Sequence, residues 1–142
     1  MLFRSFVQVD ICPNFNTSAI EGNLLNCSQV MGTMLPGYIY FDKDAKIQID
    51  KNYASSIKAS RVGGKQTVTY DLNPNAKWSD GKTIGLADFV GMWNALKGVD
   101  KTYKITSSVG YEKIESIKKG ANDNQIVVTF KETYAEIGRA HV

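Results

Sequence analysis

The sequence predicts a mixed α/β fold with antiparallel hairpins, and three features carry that reading. Val68, Tyr70 and Leu72 alternate with Thr67, Thr69 and Asp71 just after a Gly63-Gly64 pair, the pattern of a strand leaving a tight hairpin with one apolar face. Leu86, Phe89, Val90, Trp93 and Leu96 recur at helical spacing. Two further extended runs, 111–118 and 125–131, are joined by the turn-rich Gly120-Ala121-Asn122-Asp123-Asn124.

The remaining elements follow along the chain. Phe6-Val7-Gln8-Val9 alternates weakly and enters a polar stretch from Pro13 to Asn23, which reads as a short strand and a loop. Leu24, Cys27, Met31 and Met34 are spaced three and four apart, with Asn23 placed to cap and Pro36-Gly37 to stop the run, so a helix with one buried face is expected. Tyr38 to Phe41 and Ile47 to Ile49 flank a polar turn, Asp42 to Lys46. Its Asp42 and Asp44 begin like a calcium loop, but Lys46 and Ile47 occupy the positions of a ligand and the sharp-turn glycine, and no metal is expected. Ser55 to Arg61 is the partner of the Gln66 to Leu72 strand. Asn73-Pro74-Asn75 turns the chain into Ala76-Lys77-Trp78, and Asp80-Gly81 turns it again. Gly85 stands near the helix N-cap, Asp88 in the first turn beside the positive end of the dipole, and Gly98 just past the end.

Composition narrows the function classes. The 142 residues carry 17 Lys+Arg and 14 Asp+Glu, a net charge of +3 without a like-charged block, so neither nucleic acid nor an anionic membrane is an expected partner. No apolar run approaches the roughly 18 residues of a spanning helix. Cys12 and Cys27 lack the spacing and nearby histidine of a zinc or redox motif; they read either as small buried residues or as a disulfide. The only histidine, His141, lies at the far end, so histidine-dependent catalysis has no other candidate. Nucleophile elbows, phosphate loops and dinucleotide fingerprints are missing from the sequence, and carboxylate pairs stand in no catalytic setting; no enzyme and no cofactor are expected.

The most distinctive stretch runs from Val68 through Asn73-Pro74-Asn75-Ala76-Lys77-Trp78-Ser79-Asp80-Gly81 to Ala87-Asp88-Phe89-Val90 and Trp93. It resembles the signature of the family 5 solute-binding proteins, the peptide- and nickel-binding components of ABC importers. There a strand passes through a Lys-Trp-Ser-Asp-Gly turn into a helix opening with an acidic-aromatic-Val run. Gly85 departs from the Thr or Ser cap usual in that family. Ile20-Glu21-Gly22-Asn23 resembles its ligand-lining stretch, and Tyr38 to Asp44 its Tyr/Phe-Asp-x-Asp-Gly piece, with Ala45 for glycine. Leu35-Pro36-Gly37 and Asn75-Ala76-Lys77-Trp78 are most similar to the actinobacterial branch.

The resemblance implies part of the N-terminal lobe of a two-lobed, class II periplasmic-binding-protein fold. It implies an extracytoplasmic protein, periplasmic or a cell-surface lipoprotein, that captures a solute such as a peptide and delivers it to permease subunits, working as a monomer and with a signal segment upstream of this stretch. Two alternatives stay open: an envelope glycolipid-binding regulator of the same fold, and a free-standing carbohydrate-binding or adhesive domain. Trp78, Ser79, Asp80, Gly81, Asp88, Phe89 and Trp93 read as a structural signature, with the Trp78 ring buried beside the hairpin. Glu21, Gly22, Asn23, Ser107 and Ser108 are the expected ligand contacts: Gly22 would let main-chain groups approach a peptide closely, and the serines offer small hydroxyls ahead of a strand.

The two ends are expected to be foreign to the lobe. Glu136-Ile137-Gly138-Arg139-Ala140-His141-Val142 can be encoded by a string resembling a sequencing adapter, whose reverse complement encodes Met1-Leu2-Phe3-Arg4-Ser5. The expected division is 1–5 and 136–142 adapter-derived, and 6–135 the partial lobe.

Overall fold

The computed structural model describes residues 14–35 and 37–133. The Phe6–Val9 strand, Cys12, Pro36 and both ends expected to be foreign lie outside the described residues. Helix α1 (Leu25–Met34) is followed by a two-stranded antiparallel sheet of β1 (Ile39–Phe41) and β2 (Ile47–Ile49). Strands β3 (Ala54–Val62) and β4 (Lys65–Leu72), helix α2 (Leu86–Leu96), and strands β5 (Ile114–Lys119) and β6 (Gln125–Phe130) complete the described fold. The larger sheet has the order β3-β4-β6-β5, antiparallel throughout.

Gly63 and Gly64 join β3 to β4 at φ +58° and +78°, a two-residue turn with both central residues left-handed, which matches strand twist and suits glycine. From there β4 alternates strictly. Val68, Tyr70 and Leu72 face inward with Ile126, Val128 and Phe130 of β6, and Phe89 of α2 and Ile114 of β5 close the core. Each such side chain contributes about 1.5–3 kcal/mol on full burial. Tyr38 joins from the start of β1, its ring 5.5 Å from Phe89 and 6.0 Å from Tyr70. Burial, with the negative charge of Asp88 nearby, pushes the Tyr38 hydroxyl up to about 12.

In the turn before β2 the Asp42 carboxylate accepts hydrogen bonds from the Asp44 and Lys46 N–H groups at 2.9 and 3.0 Å and from the Gln48 amide at 2.7 Å. Those bonds, that of Lys46 foremost, hold Asp42 below the usual carboxylate range. Ala45 adopts φ +57°, the conformation for which the resemblance supplies glycine.

Three expectations need correction. The residue capping α1 is Leu24, not Asn23, and no side chain caps it: a 3₁₀ turn at Ile20–Gly22, closed by Gly22 N–H to Ala19 C=O at 3.1 Å and followed by Leu24 N–H to Gly22 C=O at 2.9 Å, delays the helix by a residue. Nor does α1 bury the expected stripe. Cys27 is fully buried, but Leu24 and Met34 are 39% and 68% exposed, because helical spacing sets where apolar side chains point and not whether a surface meets them. The strand expected from Tyr111 begins at Ile114, since Gly110 at φ +89° starts a 3₁₀ turn over Tyr111–Lys113. Cys27 is both buried and disulfide-bonded.

Candidate functional site

The signature residues form a brace between β4 and α2. Asp80-Gly81 reverses the chain, with Gly81 at φ +86°, Trp78 N–H bonded to Lys82 C=O at 2.8 Å and Gly81 N–H to Trp78 C=O at 2.9 Å. The Asp80 carboxylate accepts from Lys82 N–H at 3.0 Å and pairs with its ammonium at 2.8 Å; that side-chain contact, then the backbone bond, draws Asp80 below its usual range. Ser79 is exposed in the turn.

Asp88 ties this turn to the helix. One carboxylate oxygen accepts from the Trp78 indole N–H at 3.0 Å and the other from the Gly85 N–H at 2.8 Å. The missing Thr or Ser cap at Gly85 is thereby answered from the helix side, by an acidic residue that also meets the dipole favourably. Phe89 is in the core, and the Trp93 indole donates to Tyr111 C=O at 3.0 Å while the Lys97 ammonium lies 4.9 Å from its ring centre. The expected burial of Trp78 is corrected: its side of the turn faces solvent, 39% of the residue is exposed, and its hold on the lobe is the polar link to Asp88.

The expected contact loops flank one structural feature. Ala19 and Ile105 form an antiparallel bridge, with Ile20 N–H to Lys104 C=O and Thr106 N–H to Ser18 C=O, both 2.9 Å. Glu21–Asn23 and Ser107–Ser108 leave this bridge at opposite ends, as antiparallel pairing requires. Glu21, Asn23 and Ser107 are exposed; Ser108 is half-buried. The Ser107 hydroxyl oxygen accepts from Val109 N–H at 3.2 Å, and the Ser108 carbonyl accepts from Tyr111 and Glu112 N–H at 3.0 and 3.2 Å.

Gly22 is buried, and its lack of a side chain has a cause inside the chain. A Cβ there would stand 2.1 Å from the Asn16 carbonyl oxygen and 2.6 Å from that of Asn14. Asn16 and Asn14 fold beneath it in side-chain-to-backbone turns, Asn14 Oδ1 accepting from Asn16 N–H at 2.8 Å and Asn16 Oδ1 from Ser18 N–H at 3.1 Å. The bridge itself was not read from the sequence. It pairs two irregular segments chiefly by backbone, with the Thr106 hydroxyl adding a bond to Ser18 C=O at 3.2 Å, and neither carries a strand pattern.

Among the described residues no group of three His, Cys, Asp or Glu is placed to hold a metal, and no helix is long and apolar enough to cross a membrane. The described residues assemble a braced α/β frame that presents two polar loops from one backbone bridge.

Residues 50–140 match the family described as bacterial extracellular solute-binding proteins, family 5 Middle. The oligopeptide-binding protein OppA of Mycobacterium tuberculosis is 40% identical over 127 residues, which span 89% of this chain and 21% of that protein. Among solved structures, the periplasmic EDTA-binding protein EppA superposes with a TM-score of 0.77 at 24% identity, over 87% of this chain and 23% of that one. Haemophilus influenzae OppA, in complex with the peptide RPPGFSPFR, superposes with a TM-score of 0.64 at 24% identity, over 83% and 25%. The chain belongs to the family 5 solute-binding proteins, and it spans about a fifth of the length of the OppA relative.

Proposed function

We propose that this chain is part of the N-terminal lobe of an oligopeptide-binding protein that works outside the cytoplasm, captures peptides and passes them to an ABC permease. The observation that carries the reading is the 40% identity to a mycobacterial OppA, extending over 89% of this chain. A binding protein of this class acts by closing two lobes over a ligand held through main-chain hydrogen bonds and hydrated pockets. In this reading the exposed Glu21 and Asn23 and the serines 107 and 108 meet the peptide. The Ala19–Ile105 bridge keeps the two loops at a fixed separation, and the Trp78–Asp88 brace keeps the lobe rigid.

Calorimetry on the full-length gene product with a set of tri- to nonapeptides tests this. Saturable binding is expected, weakened in Glu21→Ala or Ser107→Ala. Unchanged affinity in both variants would remove these loops from the site, and no binding to any peptide would overturn the function.

A further inference from the structure

The two loops proposed to meet the peptide carry apolar side chains as well as polar ones. Ile20 stands beside Glu21, Val109 beside Ser108, and Tyr103 next to the residue that Ile20 pairs with; they are 62%, 60% and 49% exposed. Exposure alone assigns nothing, since Met34 on α1 is as bare. What sets these three apart is a tied backbone. Ile20 N–H bonds to Lys104 C=O at 2.9 Å and opens the 3₁₀ turn whose Gly22 packs on the Asn14 and Asn16 carbonyls. Tyr103 C=O accepts from Ile105 N–H at 2.7 Å, a three-residue turn at Lys104 that leaves both Tyr103 and Lys104 exposed. Val109 N–H bonds to the Ser107 hydroxyl at 3.2 Å. The ordering cost of these segments is met in the fold, so it does not offset what contact with a ligand gains.

Charge on the two segments does not choose a ligand side chain. They carry Glu21 and Asp100 against Lys101 and Lys104. The Asp100 carboxylate accepts from Thr102 N–H and hydroxyl at 2.9 and 2.7 Å, and the Lys101 ammonium donates to Gly98 C=O at 2.9 Å. Glu21 and Lys104 remain, one of each sign and both exposed. A ligand side chain of either charge meets one attraction and one repulsion and gives up hydration, whereas an apolar one takes the surface of Ile20, Tyr103 and Val109 out of water.

We propose that Ile20, Tyr103 and Val109 set the side-chain preference of this contact, and that the peptides it selects carry an aromatic or large aliphatic side chain there. The assignment rests on the peptide reading and gives it a substrate class.

Calorimetry on the full-length gene product tests it, with trialanine derivatives carrying Phe, Leu, Lys or Glu at each position in turn. At one position the Phe and Leu peptides are expected to bind about tenfold more tightly than the Lys and Glu peptides. Ile20→Ser, Tyr103→Ser and Val109→Ser should each lower that ratio, while Ile20→Val and Tyr103→Phe keep it and Met34→Ser leaves it unchanged. Should Ile20→Ser not fold, Tyr103→Ser on its exposed turn carries the test. Peptides bound with no preference for Phe and Leu, or a preference that the serine variants leave unmoved, would overturn the assignment while peptide capture stands. A serine variant that melts lower with its preference intact assigns that residue to packing inside the protein and overturns its role here. Binding of no peptide at all is the failure of capture itself, and this inference falls with it.

Discussion

Replacing Gly22 by alanine separates a glycine kept for its own loop from one kept for a ligand. The added Cβ would meet two carbonyl oxygens at 2.1 and 2.6 Å, where real contacts start near 3.0 Å, so the backbone must part by close to 1 Å. Neither obstacle is a rotatable side chain. Overpacking of this kind costs about 1–3 kcal/mol, and backbone on both sides puts Gly22→Ala at about 3 kcal/mol. Part of that loss is the weakening of Gly22 N–H to Ala19 C=O at 3.1 Å and of Leu24 N–H to Gly22 C=O. For a chain of this size about 3 kcal/mol lowers the melting temperature by about 6–12 °C. Differential scanning calorimetry reads it directly, with Glu21→Ala as the exposed neighbour expected to shift stability by no more than about 0.5 kcal/mol. A Gly22→Ala protein that melts like the parent would refute the close-packing account and return this glycine to the ligand.

Trp78→Phe removes the indole N–H bond to Asp88 but leaves Asp88 on the Gly85 N–H; since the residue is 39% exposed, urea unfolding should show a loss of about 1–2 kcal/mol, below the full cost of a buried tryptophan, with peptide affinity unchanged. A loss under about 0.5 kcal/mol would discard the brace. Ala45→Gly should stabilise by about 0.5–1 kcal/mol, because the left-handed penalty at φ +57° exceeds the extra entropy that glycine loses on folding; destabilisation would count against it. Tyr38 keeps its proton in the folded state to about pH 12, against 10 when unfolded, so the stability it adds is full below pH 10 and declines as the pH rises towards 12. Tyr38→Phe should flatten that alkaline limb in melts between pH 9 and 12, and an identical limb would assign it to other tyrosines.

What the sequence made legible was local. The period-two run from Thr67 to Leu72, the Gly63-Gly64 turn and the stripe from Leu86 to Leu96 each depend on neighbours within a few residues, and each became the element expected. The α1 stripe had the same kind of pattern, yet Leu24 and Met34 stand exposed. Periodicity reports which side chains share a face; whether that face is covered depends on segments far away in the chain, which a single sequence does not pair. Trp78 shows the converse. Its size argued for burial, but an indole has a polar edge, and here the N–H reaching Asp88 ten residues on decides its place.

The same distinction divides the candidate site. Its frame closes over short separations: Gly85 to Asp88, Trp78 to Asp88, and Trp93 to Tyr111 span 3, 10 and 18 residues, and the residue types involved mark the sequence visibly. Its loops are positioned across 88 residues, from Ser18 to Thr106, chiefly by main-chain groups that every residue possesses, with one added bond from the Thr106 hydroxyl. Backbone pairing of that kind leaves no compositional trace, so Glu21 and Ser107 could be named only through resemblance and never placed relative to one another. Gly22 is the exception within the loops. A glycine under two carbonyls is a backbone requirement that does write itself into the sequence, and it marks where the loop is built, one residue from where the proposed ligand is met.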